Sequence, residues 1–76
     1  MTAKAYVLLE IQVGKTKQVV ETIRMLPGVL SVDVVVGPYD AIAIIQGETM
    51  NDIAEVIVSK LHSVPGISRT VTCMAL

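Results

Sequence analysis

A four-residue phrase occurs twice in this chain and fixes most of what it can become. Leu26-Pro27-Gly28-Val29 returns as Val64-Pro65-Gly66-Ile67, and 65 − 27 gives an offset of 38 residues. In that register Val19, Ile23 and Leu26 fall on Ile57, Leu61 and Val64. Proline cannot continue a helix and glycine accepts the turn that follows, so each copy closes a helix and opens a strand. With 76 residues in all, the two units must share one core as similar halves of a single domain, 1–76.

The rest of each half can be read from periodicity. From Ala5 to Val13 the chain alternates, with Val7, Leu9, Ile11 and Val13 on one side and Tyr6, Leu8, Glu10 and Gln12 on the other, the period of a strand. Gly14-Lys15-Thr16 interrupts it, and Thr16 offers its hydroxyl as an N-cap. Val19, Val20, Ile23 and Leu26 then recur at helical spacing, with Lys17, Glu21 and Arg24 on the wet side. Val29 to Val36 is rich in β-branched residues and reads as a second strand. Gly37-Pro38-Tyr39-Asp40 is turn chemistry, and Asp40 to Gly47 forms the returning strand of a hairpin.

Thr49-Met50-Asn51-Asp52 has the spacing of a capping box with Asp in its last place. It opens a second helix marked by Ile53, Ile57, Leu61 and Val64, with Asp52, Glu55, Ser59 and His62 outside. Ile67 to Leu76 is the fourth strand. The order β-α-β-β-α-β predicts an α+β, ferredoxin-like domain. Right-handed crossovers place both helices on one face of a four-stranded antiparallel sheet. Val7, Leu9, Ile11, Ala41, Ala43 and Ile45 are expected to face the helices. The opposite face is expected to carry Tyr6, Leu8, Glu10, Ile42, Ile44, Gln46, Thr70, Thr72 and Met74. The faces of the second strand stay open, because one bulge inverts them.

Composition enters through stability. A domain this short buries only about 60% of its unfolded surface and needs a staple. Cys73 is the only cysteine and His62 the only histidine. The first fact excludes an intrachain disulfide and the two together exclude a zinc site within one chain. No metal and no cofactor are expected. The chain is 53% hydrophobic without Trp or Phe, more apolar side chain than one small core hides. The half-apolar outer face therefore reads as an interface, and the chain as a homo-oligomer.

Runs such as Ala41 to Ile45 are far too short to cross a membrane, which takes about 20 residues. No signal peptide is visible at the N-terminus, and a lone cysteine fits the reducing cytoplasm. A formal charge of −1 gives no electrostatic footprint for nucleic acid.

Few local motifs carry chemistry. Gly14-Lys15-Thr16 has the tail of a phosphate-binding loop, but Leu9 stands where that motif needs glycine. It reads as a turn. His62 lacks the positioned partner that base catalysis requires and reads as a solvated helix residue. Cys73 reads as a small buried hydrophobe in an aliphatic strand. No role is assigned to either. In Gly37-Pro38-Tyr39-Asp40, a hairpin loop accounts for three residues: Pro38 fixes φ, Gly37 permits unusual angles, and Asp40 bonds nearby amides. Tyr39 is left over. The second reading is a site for a small zwitterion, with Asp40 drawing the ammonium and loop N–H groups holding the carboxylate. Local chemistry leaves both readings open.

The chain resembles the RAM domain, the module for regulation of amino-acid metabolism found at the C-terminus of Lrp/AsnC-type transcriptional regulators. The resemblance is carried by Ala5-Tyr6-Val7-Leu8-Leu9, Leu26-Pro27-Gly28-Val29, Gly37-Pro38-Tyr39-Asp40, and Leu61 to Ile67 running into Thr70-Val71-Thr72. It covers essentially the whole chain. It implies dimers joined through their sheets in a dimeric α/β-barrel-like assembly, rings such as octamers or decamers, and an amino-acid effector between dimers. Gly37, Tyr39 and Asp40 would border that pocket, with Thr70 and Thr72 as partners from the last strand.

Members of the family place a helix-turn-helix domain before this module. The expectation here is a stand-alone module that does not bind DNA directly and co-assembles with full-length regulators. Two other classes use the same unit. A cofactor-independent dimeric α/β-barrel monooxygenase or isomerase needs a polar or aromatic cavity with a positioned acid or base. An ACT-like amino-acid-binding domain differs in how its subunits pair.

Overall fold

Alternating aliphatic residues at the N-terminus form β1 (Ala3–Ile11), the strand around which everything else is arranged. The structure, a computed structural model, describes residues 2–76. After β1 come α1 (Thr16–Arg24), β2 (Val29–Val34), β3 (Ala41–Gly47), α2 (Met50–Ser59), a single 3-10 turn (Leu61–Ser63) and β4 (Ile67–Met74). The four strands form one sheet in the order β2-β3-β1-β4, and every neighbouring pair is antiparallel. This is the ferredoxin-like βαββαβ arrangement expected from the element order.

One face of the sheet makes the core. Ala5, Val7 and Leu9 of β1 and Ala41, Ala43 and Ile45 of β3 are completely buried beneath Val19 and Ile23 of α1 and Ile53 and Leu61 from the second half. Two of the buried β3 residues are alanines, and α2 packs on β1 and β3. Side chains that short let a helix sit close to the sheet. The Thr49–Asp52 capping box forms as its spacing predicts. The Asp52 amide donates to Thr49 Oγ1 and the Thr49 amide to Asp52 Oδ2, both at 3.2 Å.

The repeated Pro-Gly phrase does the same work in both halves. Gly28 and Gly66 have φ of +84° and +100°, a region that costs other residues strain. A Cβ on Gly28 would lie 2.7 Å from the Gln46 carbonyl oxygen, and one on Gly66 2.8 Å from Val19 Cγ2. Each glycine carbonyl accepts an amide from the end of a central strand, Gln46 to Gly28 at 2.7 Å and Gln12 to Gly66 at 2.8 Å. The likeness extends one step further. Both pairings slip by one residue just after the turn, leaving out Leu30 in β2 and Ser68 in β4. Those two positions are again 68 − 30 = 38 residues apart.

The slip at Ser68 overturns one expectation. With the bulge, Thr70, Thr72 and Met74 pair with Leu9, Val7 and Ala5 and so share the helix-facing side. The outer face instead carries Arg69, Val71 and Cys73, opposite Glu10, Leu8 and Tyr6. One extra residue at the strand entry reverses every side chain after it.

Other corrections are local. Cys73 is exposed rather than buried, because it lies on that outer face of an edge strand. Val13 lies beyond the end of β1 and is fully exposed. Thr16 is the first residue of α1, not its cap; Lys15 holds the cap position and makes no side-chain capping bond. Lastly, α2 stops at Ser59, so His62 sits in the 3-10 turn and not on the helix.

Candidate functional site

The hairpin loop between β2 and β3 is held by its last residue. The Val35 amide donates to the Asp40 carbonyl at 3.0 Å, closing the loop on itself. The Asp40 amide then donates to the Leu9 carbonyl at 2.8 Å. The Ile11 amide donates to Asp40 Oδ2, also at 2.8 Å. Main-chain pairing of β1 with β3 ends at Leu9 and Ala41. Beyond that point the Asp40 carboxylate supplies the acceptor that β3 can no longer offer. Asp40 therefore does bond an amide, but one on another strand and not within its own turn.

The remaining loop residues differ in character. Tyr39 and Asp40 are half-buried, whereas Gly37 and Pro38 are exposed. Gly37 is not among the positive-φ glycines, and a Cβ there would meet nothing within 4 Å. The unusual backbone angles expected of Gly37 are not needed.

Thr70 lies directly opposite Leu9 on the other edge of β1. Asp40 and Thr70 thus flank the same residue from either side. Their main chains are two strand spacings apart, roughly 10 Å. Thr72 pairs with Val7, one step further from the loop, and is exposed where Thr70 is half-buried. Between them runs β1, whose Leu9 and Ile11 are both buried. The structure therefore brings Asp40 and Thr70 to one end of the sheet, on opposite sides of β1.

One neighbour escaped the sequence reading. His62 Nε2 lies 3.4 Å from Thr70 Oγ1. Helical periodicity carried through to Val64 hides this contact, since it keeps His62 on a solvated helix face. Two depressions in the surface are lined by other residues. One of about 470 Å³ is bordered by Lys4, Leu30, Gln46 and Met50 at the opposite end of the sheet. Another of about 450 Å³ runs between α1 and β2, past Val20, Arg24 and Val34. Among the described residues no three His, Cys, Asp or Glu side chains gather as metal ligands. No helix there is long and apolar enough to cross a membrane.

The family model described as the Lrp/AsnC ligand binding domain matches residues 4–76. The chain belongs to the Lrp/AsnC family. Among relatives of this Lrp/AsnC domain is an uncharacterised HTH-type transcriptional regulator of Pyrococcus furiosus. It is 29% identical over 59 residues, which are 78% of this chain and 39% of that protein. The domain spans about two fifths of the length of the curated relatives it matches.

The crystal structure of FFRP-DM1 superposes on the domain with a TM-score of 0.92 at 31% identity, covering 97% of this chain and 99% of that one. A transcriptional regulator of Neisseria meningitidis, solved as a complex with L-Met, gives a TM-score of 0.84 at 21% identity. It covers 97% of this chain and 49% of that one, and shares the fold.

Proposed function

We propose that this Lrp/AsnC domain is an effector-sensing and oligomerisation module that binds an amino acid beside the Gly37–Asp40 loop. In this reading it changes transcription by co-assembling with full-length regulators in the cytoplasm. The observation that carries the site is the anchoring of Asp40. With Oδ2 fastened to the Ile11 amide, the carboxylate is held still and half-buried, and Oδ1 is left for a ligand ammonium. Tyr39 stands beside it, and loop amides near Gly37 complete a zwitterion's requirements. Thr70 and Thr72, which lie across β1 from Asp40 within one chain, are contributed by β4 of a second copy, so that the amino acid binds between dimers.

The L-Met complex of the Neisseria regulator supports an amino acid as the class of ligand on this fold. FFRP-DM1, of which this chain covers 99%, supports a module that folds over this span. The enzymatic rival has less to stand on. Every buried side chain of the described core is aliphatic, so a catalytic acid or base has no enclosed position.

Calorimetric titration of the purified protein with each of the twenty amino acids tests the proposal. At least one is expected to bind. A charge-assisted hydrogen bond contributes about 1.5–3 kcal/mol, so Asp40→Ala should weaken that binding by about one to two orders of magnitude. Tyr39→Ala should weaken it as well. Full affinity in both variants, or no binding by any amino acid, contradicts the assignment.

A further inference from the structure

We propose that the groove between α1 and β2 docks a short, extended, acidic segment of a partner protein, which adds to the sheet as a strand beside β2. β2 is one of the two edges of the sheet, and the direction of its main-chain groups can be read off. The Val35 amide donates to the Asp40 carbonyl, so Val35 turns toward β3. Directions alternate along an antiparallel strand. Ser31 and Asp33 therefore turn inward with Val35, while Val32 and Val34 turn outward. Arg24 agrees with this assignment, since its Nη2 donates to the Val32 carbonyl at 2.9 Å. An outward acceptor on an edge strand is what an added strand uses. Here a side chain from the last residue of α1 holds that place.

The surroundings of this edge fit one kind of occupant. The depression of about 450 Å³ between α1 and β2 runs alongside it, bordered by the apolar Val20 and Val34 and by Lys17, Glu21 and Arg24. Val34 is 57% exposed although it belongs to a strand. Side chains of an added strand alternate between the two faces of the sheet. In the antiparallel sense used by the rest of the sheet, an apolar residue opposite Val34 covers its side chain. The residue two places on lies opposite Val32, and its N–H takes over the Val32 carbonyl. The released guanidinium then needs an anion, which an acidic side chain at that same position supplies. With two cations and one carboxylate on the border, acidic residues are favoured throughout.

Only Val32 and Val34 turn outward between the slip at Leu30 and the hairpin loop, so the segment is short. A second copy fits less well, because pairing β2 with β2 sets Lys17 and Arg24 of each chain toward the same cations in the other. None of Tyr39, Asp40, Thr70 or Thr72 borders the groove. It is a second site, independent of amino-acid binding.

The probe is the end-capped peptide Ser-Glu-Thr-Val-Thr-Glu-Ser, titrated into wild-type protein by calorimetry and followed by amide NMR shifts. It should bind with its largest shifts at Val32, Asp33 and Val34. Glutamine in place of both glutamates should weaken binding by about threefold, as Lys17→Ala should for the acidic peptide, and lysine should weaken it further. N-methylation of the glutamates, which removes the N–H offered to Val32, should cost about tenfold. Arg24→Ala should bind the glutamine peptide more tightly than wild type does, because the Val32 carbonyl is then free, and should lose the preference for glutamate. Equal affinity for the three peptides overturns the acidic character of the partner. Absence of shifts along β2, or full affinity after N-methylation, overturns the added strand. Growth of Arg24→Ala into larger assemblies without peptide, seen by sedimentation, would assign the edge to a second copy instead.

Discussion

The bond from the Ile11 amide to Asp40 Oδ2 lies where the β1–β3 ladder runs out, and a side chain has to stand in for main chain. Losing it leaves a part-buried N–H without an acceptor, which costs about 1–3 kcal/mol. Asp40→Ala should lower the urea midpoint accordingly and speed hydrogen exchange at Ile11, while Asp40→Asn should keep most of the protection. Unchanged exchange at Ile11 in Asp40→Ala would show that the bond does not form in solution. The residue type was legible in the sequence, since Asp in a turn seeks amides. Its partner was not, because it lies 29 positions away in the chain and local turn rules do not reach that far. The place of His62 is hidden from the sequence for a related reason. Periodicity alone does not show where a helix tightens into a 3-10 turn ahead of Pro65-Gly66.

Elements obey the repeat more strictly than the repeated letters suggest. The order of strands and helices, the capping box and the core faces of β1 and β3 all follow from periods of two and 3.6. The two bulges were half-legible. A bulge in β2 was foreseeable as the hazard to its face assignment, and the offset of 38 residues that relates the two Pro-Gly phrases carries Leu30 onto Ser68. A bulge carried along with the phrase puts Thr70 and Thr72 on the helix-facing side, opposite Leu9 and Val7.

The turns themselves give a graded test. Gly28→Ala and Gly66→Ala force a side chain into a left-handed backbone and into contacts under 3 Å. Each should destabilise by at least about 1–3 kcal/mol in urea unfolding. Gly37→Ala meets neither obstacle and should change stability by less than about 0.5 kcal/mol. Equal effects at all three positions would mean that the repeated turns carry no special strain.

At the scale of the whole molecule the outer face of the sheet remains unaccounted for by the fold itself. Leu8, Ile42, Ile44 and Val71 are only half-buried there, and Tyr6 is 38% exposed with the Lys4 ammonium 5.3 Å from its ring centre. Covering such a face with a second copy gains about 25 cal/mol per Å² of apolar area, less the cost of association. Ile44→Asp places a charge in the middle of it, between Tyr6 on β1 and Ser31 on β2. It should dissociate the assembly or unfold the chain. A variant that keeps the wild-type mass and melting temperature would remove this face from the interface.

Sensing and assembly are one claim here, and sedimentation velocity at low micromolar concentration measures both. The wild-type protein should sediment well above the 8.1 kDa monomer. The amino acid found by calorimetry should shift the distribution of assemblies, and the shift should vanish in Asp40→Ala. A folded 8.1 kDa species that stays monomeric with and without that amino acid would contradict the account.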